Sequence, residues 1–355
     1  MDPDMTTTHD LLPPRKDASS AHLVPGSAAT PAGFGSSAFY SLPDGNVQIA
    51  FSGGRSSAYM LHQILEANGG LPDRVEVTFQ NTGRESNASL DFVQEVSHRW
   101  GVMVTWLEYR PNAPLFEVVG YQGASRDSEP FEALIKRKKY LPNQQSRFCT
   151  IELKVRTAKR YLRSIGWDHW TNAVGFRADE PHRLNKPAPK DRWTVWHPMA
   201  AAGVSRHDVA LFWRKQPFDL QLANINGKTP GGNCRDCMLK SESIIAGYMR
   251  DNPEDDWSER MEAWVSAHWY TLGRWPRLRR IIQSDPELAT KLREAYGRPI
   301  SASVIESMTA KPRSAAQFSK RYSRKEVRQM LDRQGDWIFN DEAFLCQSDD
   351  GECVA

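Results

Sequence analysis

No run of about 18 apolar residues occurs in the chain, so nothing in the sequence reads as a membrane span. Cysteine is scarce: 5 in 355 residues, unevenly spaced, which excludes a disulfide scaffold and fits a reducing compartment. The start, "MDPDMTTTHDLLPPRKD", lacks a basic segment followed by an apolar one, so no secretory signal is expected and a cytoplasmic location is. An excess of one charge is missing too. With 46 Lys+Arg against 43 Asp+Glu the net charge is +3, which neither announces a nucleic-acid binder nor describes an acidic disordered chain. No internal repeat is present. The length allows one large domain or two ordinary ones around a substantial core.

Residues 1–40 are rich in Pro, Ala, Ser, Thr and Gly and carry no apolar periodicity, which predicts a flexible tail. From residue 47 strand and helix patterns alternate. "NVQIAFS", "RVEVTFQ", "MVTWLEY" and "WTNAVGFR" read as strands; 57–67, "SLDFVQEVSHRWG", "IELKVRTAKRYLRSIG" and "SRHDVALFWRKQP" read as helices, the last with Ser205 as N-cap. Such alternation predicts an α/β domain over 41–240, a mostly parallel sheet with helices on both faces. Over 241–355 the strand signals vanish, and a helical C-terminal extension is expected. Its tryptophans Trp257, Trp264, Trp269 and Trp275 read as packing of that extension onto the sheet.

At the first strand–helix junction stands "AFSGGRSSAYML". Glycines let backbone N–H groups close on an anion, and a helix N-terminus adds unpaired donors and a positive dipole. Ser52, Gly53, Gly54, Arg55, Ser56 and Ser57 therefore read as a phosphate cradle, with hydroxyls and a guanidinium as further donors. The spacing matches neither GxxxxGK[ST] nor GxGxxG. Past the fourth strand, Arg177 and Arg183 flank Ala178-Asp179-Glu180 on the same sheet edge. Two arginines there suit the charge of a leaving pyrophosphate, and Asp179 or Glu180 suits Mg²⁺; the plain alternative is a surface loop of paired charges. Cys234 and Cys237 form a Cys-x-x-Cys pair that, with Cys149, would supply three thiolates to a metal. Lys154, Arg156, Lys159, Arg160 and Arg163 read as a basic helix face, more simply a solvated one.

These segments together resemble the phosphoadenosine phosphosulfate (PAPS) reductase-like family of the PP-loop ATP pyrophosphatase superfamily. The loop at 52–57 is similar to the family's SGGxxS, "FQNTGRES" to its N/D-T-G-x-E, and "RFCTIELKVR" to its Cys-Thr-x-x-Leu-Lys stretch. "VGFRADEPHR" resembles G-x-R-A-x-E-x-x-R, and "NCRDCMLKS" resembles N-C-x-x-C-x-L-K-S, all in the family's order over about 45–241. The resemblance implies adenine and ribose beside Asn81, Thr82 and Gly83, with Glu85 on a ribose hydroxyl, on Mg²⁺, or capping the next helix. It implies ATP cleaved to AMP and pyrophosphate, adenylating a substrate (tRNA or DNA among them) for sulfur or nitrogen transfer from a donor. It also implies a [4Fe–4S] cluster on Cys149, Cys234 and Cys237, with Cys346 or Cys353 as a fourth thiolate and zinc as the rival metal.

Two departures stand out. Ser56 occupies a position where many members carry Asp, and the tail Glu352-Cys353 lacks the Gly and His of a tail-cysteine reductase. The alternatives are therefore a thioredoxin-dependent reductase of PAPS or adenylyl sulfate with Cys353 as nucleophile, and a non-catalytic nucleotide-binding module.

Overall fold

The computed structural model describes residues 37–144, 146–184, 191–225, 227–235, 237–272, 316–319 and 321–334. The chain divides into two units, 1–34 and 35–355, and every described residue belongs to the second. The predicted tail lies almost entirely outside the described residues, as do Trp275, Cys346 and Cys353 and the side chain of Trp269.

In chain order the elements are β1 (Val47–Ala50), α1 (Arg55–Asn68), β2 (Val75–Asn81), α2 (Asn87–Arg99), β3 (Val104–Tyr109), β4 (Phe116–Val119) and α3 (Glu129–Lys138). A π-helical turn at Thr150–Val155 leads into α4 (Arg156–Ser164), followed by β5 (Trp170–Ala173), a short α5 (Pro181–Leu184), β6 (Trp193–Trp196), a short α6 (Pro198–Ala201) and α7 (Arg206–Trp213). The extension contributes α8 (Glu242–Asp251), α9 (Trp257–Leu272) and α10 (Arg324–Gln334).

The six strands run in the order β4-β3-β2-β1-β5-β6. All neighbours pair parallel except β3 with β4. The α/β class with a mostly parallel sheet and a helical C-terminal side is thus what the chain adopts. Two strands escaped the sequence reading. Both β4 and β6 are four-residue edge strands with partly exposed faces, too short to show alternation. Helix α3 was missed as well; its basic end, Lys136, Arg137 and Lys138, masks a buried stripe of Phe131, Leu134 and Ile135.

Alternation along the strands places Val47, Ile49, Phe51, Val77 and Phe79 in one core with Leu61 and Ile64 of α1, Val93 of α2 and Trp213 of α7. Each such fully buried side chain contributes roughly 1.5–3 kcal/mol by leaving water. Residues that alternate with these are polar yet buried: Gln48 and Gln80 both donate to Thr78 Oγ1, at 2.9 and 2.8 Å. A second core joins Tyr109, Phe131, Leu134 and Ile135 to Trp257, Met261, Val265 and Phe318. It packs the extension's helices against β3 and α3, and Trp257 lies 5.2 Å from the Phe131 ring, as aromatic packing of the extension requires.

The strand order reverses at β1, with β2 on one side and β5 on the other. In open parallel sheets the crevice beyond the carboxyl ends at such a reversal is where ligands bind. The glycine loop occupies that place.

Candidate functional site

The β1–α1 loop is shaped from within. Gly53 sits at φ +76°, and Gly54 caps α1 in an extended conformation without a side-chain cap. The first-turn N–H groups of Arg55, Ser56 and Ser57 have no preceding helical carbonyl to bond. Ser57 ties the loop together: its Oγ accepts from Ser52 N–H at 3.2 Å, lies 2.9 Å from Ser52 Oγ and donates to Gly54 O at 3.0 Å. The strand on the other side comes close, since a Cβ on Gly175 would stand 3.2 Å from Ser57 Cα. A side chain at 175 would press the β5 exit away from the helix start by a few tenths of an ångström.

Arg55 does not extend its side chain as a phosphate donor. Its guanidinium, 7% exposed, donates to both Asp219 carboxylate oxygens at 2.7 and 2.9 Å, to Thr229 Oγ1 at 2.8 Å and to the carbonyls of Leu220 and Leu222. What Arg55 gives the loop is its backbone N–H; its side chain pins the 219–229 segment onto α1.

Arg177 takes the place beside the loop. It is 2% exposed and donates to Ser56 Oγ at 3.1 Å and to Asp179 Oδ1 at 2.9 Å. Glu180 Oε2 accepts the Arg177 backbone N–H at 3.0 Å, while Glu180 Oε1 accepts from Arg183 at 2.7 Å. Asp179 Oδ2 accepts Arg206 N–H at 3.2 Å, which fixes the turn after β5 to the start of α7. The 177–183 segment is therefore a knot of paired charges as well as a wall of the crevice. Among the described residues, no group of three or more His, Cys, Asp and Glu is gathered so as to hold a metal ion.

At the end of β2, Asn81 is fully buried and structural in its bonds. Its Nδ2 donates to Glu108 Oε1 at 2.6 Å and Ser125 O at 2.8 Å, and its Oδ1 accepts Gly83 N–H at 3.0 Å. Gly83, at φ +77°, has Ser128 Cα 2.9 Å from where a Cβ would be, so no side chain fits there. Thr82 Oγ1 donates to Glu85 Oε1 at 3.1 Å and lies 3.5 Å from Cys234 Sγ. Glu85 also meets Lys154 Nζ at 3.4 Å, both side chains being buried.

Lys154 thus corrects the reading of a basic outer face. The π-helical turn swings it inward, to line a pocket with Thr82, Cys149, Cys234, Cys237 and Leu153. The other cations of that face are paired, two of them to one carboxylate. Arg156 and Arg160 reach Glu152 at 2.7 and 3.5 Å, Lys159 reaches Asp191 at 2.7 Å, and Arg163 pairs with Asp168. The three cysteines, Cys149 from one segment and Cys234 and Cys237 from another, open onto this one pocket, walled by the apolar Phe131, Met238 and Phe318.

No family model matches the chain. It is 32% identical over 212 residues to the "Uncharacterized nin region protein ORF290" of Escherichia phage lambda, covering 57% of this chain and 69% of that protein. The chain belongs to the family of that phage protein. Among solved structures it is similar to phosphoadenylyl-sulfate (PAPS) reductase from Candida auris in a phosphate complex, with 15% identity and a TM-score of 0.34, over 48% of this chain and 72% of that one.

Two groups at the site carried no signal in the sequence. His197, following β6, stacks on Phe176 at 5.0 Å, and Arg183 lies 4.3 Å from the same ring. Burial holds its imidazole below the ordinary pKa, hence neutral near pH 7, and its buried Nδ1 takes no hydrogen bond. Arg84 is the other. It is 2% exposed, donates to Asp255 Oδ1 at 3.0 Å and lies 4.6 Å over the Trp257 ring. It ties the turn after β2 to the extension.

Proposed function

We propose that this protein is an adenine-nucleotide-binding enzyme of the PP-loop kind that cleaves ATP to AMP and pyrophosphate. The observation that supports this most is the loop at 52–57: glycine-shaped, with open first-turn N–H groups at the sheet reversal and the buried Arg177 on Ser56. In this reading the β- and γ-phosphates lie on the backbone N–H groups of residues 53–57, which the Ser52 and Ser57 hydroxyls hold in shape. A substrate oxygen attacks the α-phosphorus, the bond to the β-phosphate oxygen breaks, and pyrophosphate leaves with the electron pair. Arg177 and Arg183 offset the charge that builds on the leaving group. A sulfur or nitrogen nucleophile from a donor then displaces AMP from the activated carbon. Asn81, Thr82 and Gly83 form the wall for adenine and ribose, Glu85 is the candidate for a ribose hydroxyl, and Asp179 is the candidate carboxylate for Mg²⁺ on the phosphates.

The thiols of Cys149, Cys234 and Cys237 suit a soft metal group and are the residues that would hold a [4Fe–4S] cluster or, as the rival, zinc; their pocket of about 20 Å³ is too small for a cluster as it stands, so the three thiolates would have to close on the metal as it binds. Such a group supplies sulfur or electron chemistry when bound; Thr82 and Lys154, both held by Glu85, make the polar side of its pocket. Metal analysis and absorbance of anaerobically purified protein test this. We expect iron and sulfide in the wild type and their loss in each single Cys→Ala variant of the three. A metal-free protein with three freely reactive thiols overturns it.

Calorimetry with ATP and a pyrophosphate-release assay test the nucleotide reading. Arg177→Ala is expected to lower affinity or turnover by about 1.5–3 kcal/mol for each charge-assisted hydrogen bond lost. Unchanged ATP affinity in that variant counts against the cradle. Sulfite release from PAPS by the wild type, abolished by Cys353→Ser, would favour the reductase alternative instead.

A further inference from the structure

Adjoining the cysteine pocket the protein has another cavity, of about 280 Å³, close to the lower end of ligand-site volumes, roughly 300 Å³. The two adjoin, because Met238 and Phe318 line both. Its wall brings together three cations, Lys240, Arg321 and Arg324, against one lining carboxylate, Glu242. Lys240 and Arg324 are 7% and 1% exposed, so their charges lie within the wall, whereas the Arg321 side chain is 76% exposed at the mouth. Glu242 is already engaged, accepting from Ser319 Oγ at 3.3 Å and lying 4.0 Å from Arg321. Behind the wall, Glu262 accepts the backbone N–H groups of Phe318 and Arg324.

The remaining lining has a different character. Asn143, Gln144 and Gln317 contribute carboxamides, and the Gln317 Oε1 is buried without a hydrogen-bond partner. Met238, Ile245 and Phe318 make the apolar floor. Cations on one side suit a phosphate. Carboxamides over an apolar floor suit the edge and face of a base, since an amide presents both a donor and an acceptor.

From this we infer that the cavity is the acceptor subsite and receives one phosphorylated nucleoside unit, its phosphate against Lys240, Arg321 and Arg324 and its base toward Gln317. The adjoining cysteine pocket then lies next to the bound base. This inference rests on the proposed transfer chemistry, and it names the substrate class of that site. A free nucleoside monophosphate and one residue of a single strand share this chemistry.

Fluorescence anisotropy with a labelled single-stranded RNA 12-mer, and calorimetry with a mixture-free series of the four nucleoside monophosphates, separate the two sources. Binding of a monophosphate points to a free nucleotide; binding of the 12-mer alone points to a strand. In either case Arg321→Glu should weaken binding at least tenfold, and Ser319→Glu, which places a negative charge on the same wall, should do likewise. Both positions are partly or largely exposed, and unchanged melting temperatures would show both variants folded. ATP affinity is measured in parallel and should stay within twofold of the wild type. If neither probe binds the wild type, or if both variants bind as it does, the inference is overturned. If ATP fails to bind while the probes still depend on Arg321 and Ser319, the ATP reading fails and the subsite stands.

Discussion

At the scale of the residue, Gly53 sets the loop's geometry. Its φ of +76° is a conformation that L side chains rarely adopt, and a Cβ would stand 3.0 Å from Val93 Cγ2 and 3.2 Å from Phe79 Cε2. Gly53→Ala therefore adds backbone strain to an overpacked core. We expect a stability loss of about 1–3 kcal/mol by thermal melting and an ATP affinity too weak to measure by calorimetry. Arg55 belongs to the same scale. Replacing Asp219 with Asn keeps the volume but removes the charge opposite a nearly buried guanidinium. Urea denaturation should show a loss of about 1.5–3 kcal/mol, as for hydrogen bonds to charged groups.

Between elements, one carboxylate adds to the apolar core in holding the extension to the sheet's carboxyl edge. Asp255, just before α9, is reached by Arg84 at 2.9 Å and Arg235 at 3.7 Å, and accepts from Tyr248 at 2.5 Å. Burial by itself would raise the Asp255 pKa, but the hydrogen bond and charge of Arg84, helped by Tyr248 and Arg235, outweigh it and hold the value at about 2. Burial and the Asp255 contact push the Tyr248 hydroxyl upward in turn. An unfolded aspartate titrates near ~3.9, so the ionised carboxylate stabilises the fold at pH 4 and above, and that contribution disappears as pH falls from about 4 to about 2. Tryptophan fluorescence, with Trp257 under Arg84, should follow this transition. Asp255→Asn should be less stable than the wild type at pH 7 and should lose less on acidification.

For the whole molecule the question is where a polyanion would land. The modest net charge of +3 leaves no broad field, and the cations of α4 are paired with Glu152, Asp191 and Asp168. Surface ion pairs of this kind contribute little to stability, but they do lower the potential a phosphate backbone meets. We therefore expect Lys159→Ala to change single-strand affinity less than twofold in anisotropy measurements at 150 mM salt. A tenfold loss there would relocate the interface to α4 and away from the cavity lined by Arg321.

Much of this protein was determined by local pattern. Val47, Ile49 and Phe51 alternate into the core, Ser205 and Asp208 form a capping box at the start of α7, and the two loop glycines mark the ligand edge of the sheet. Those features depend on neighbours a few positions away, which is why they are legible in the chain. The partners of buried charges are not local. Arg55 is bound by Asp219, Arg84 by Asp255, and Lys154 by Glu85, and each pair is made by separate segments that only the folded sheet and its helices bring together. A lysine on a helical face reads as solvated until a π-turn shifts its direction, and the grouping of Cys149 with the Cys-x-x-Cys pair, expected from the resemblance, becomes a shared pocket only in the folded chain. The tertiary structure decided these because burying a charge or gathering thiols requires groups from distant segments to meet at one point, a condition that no periodicity along a single chain encodes.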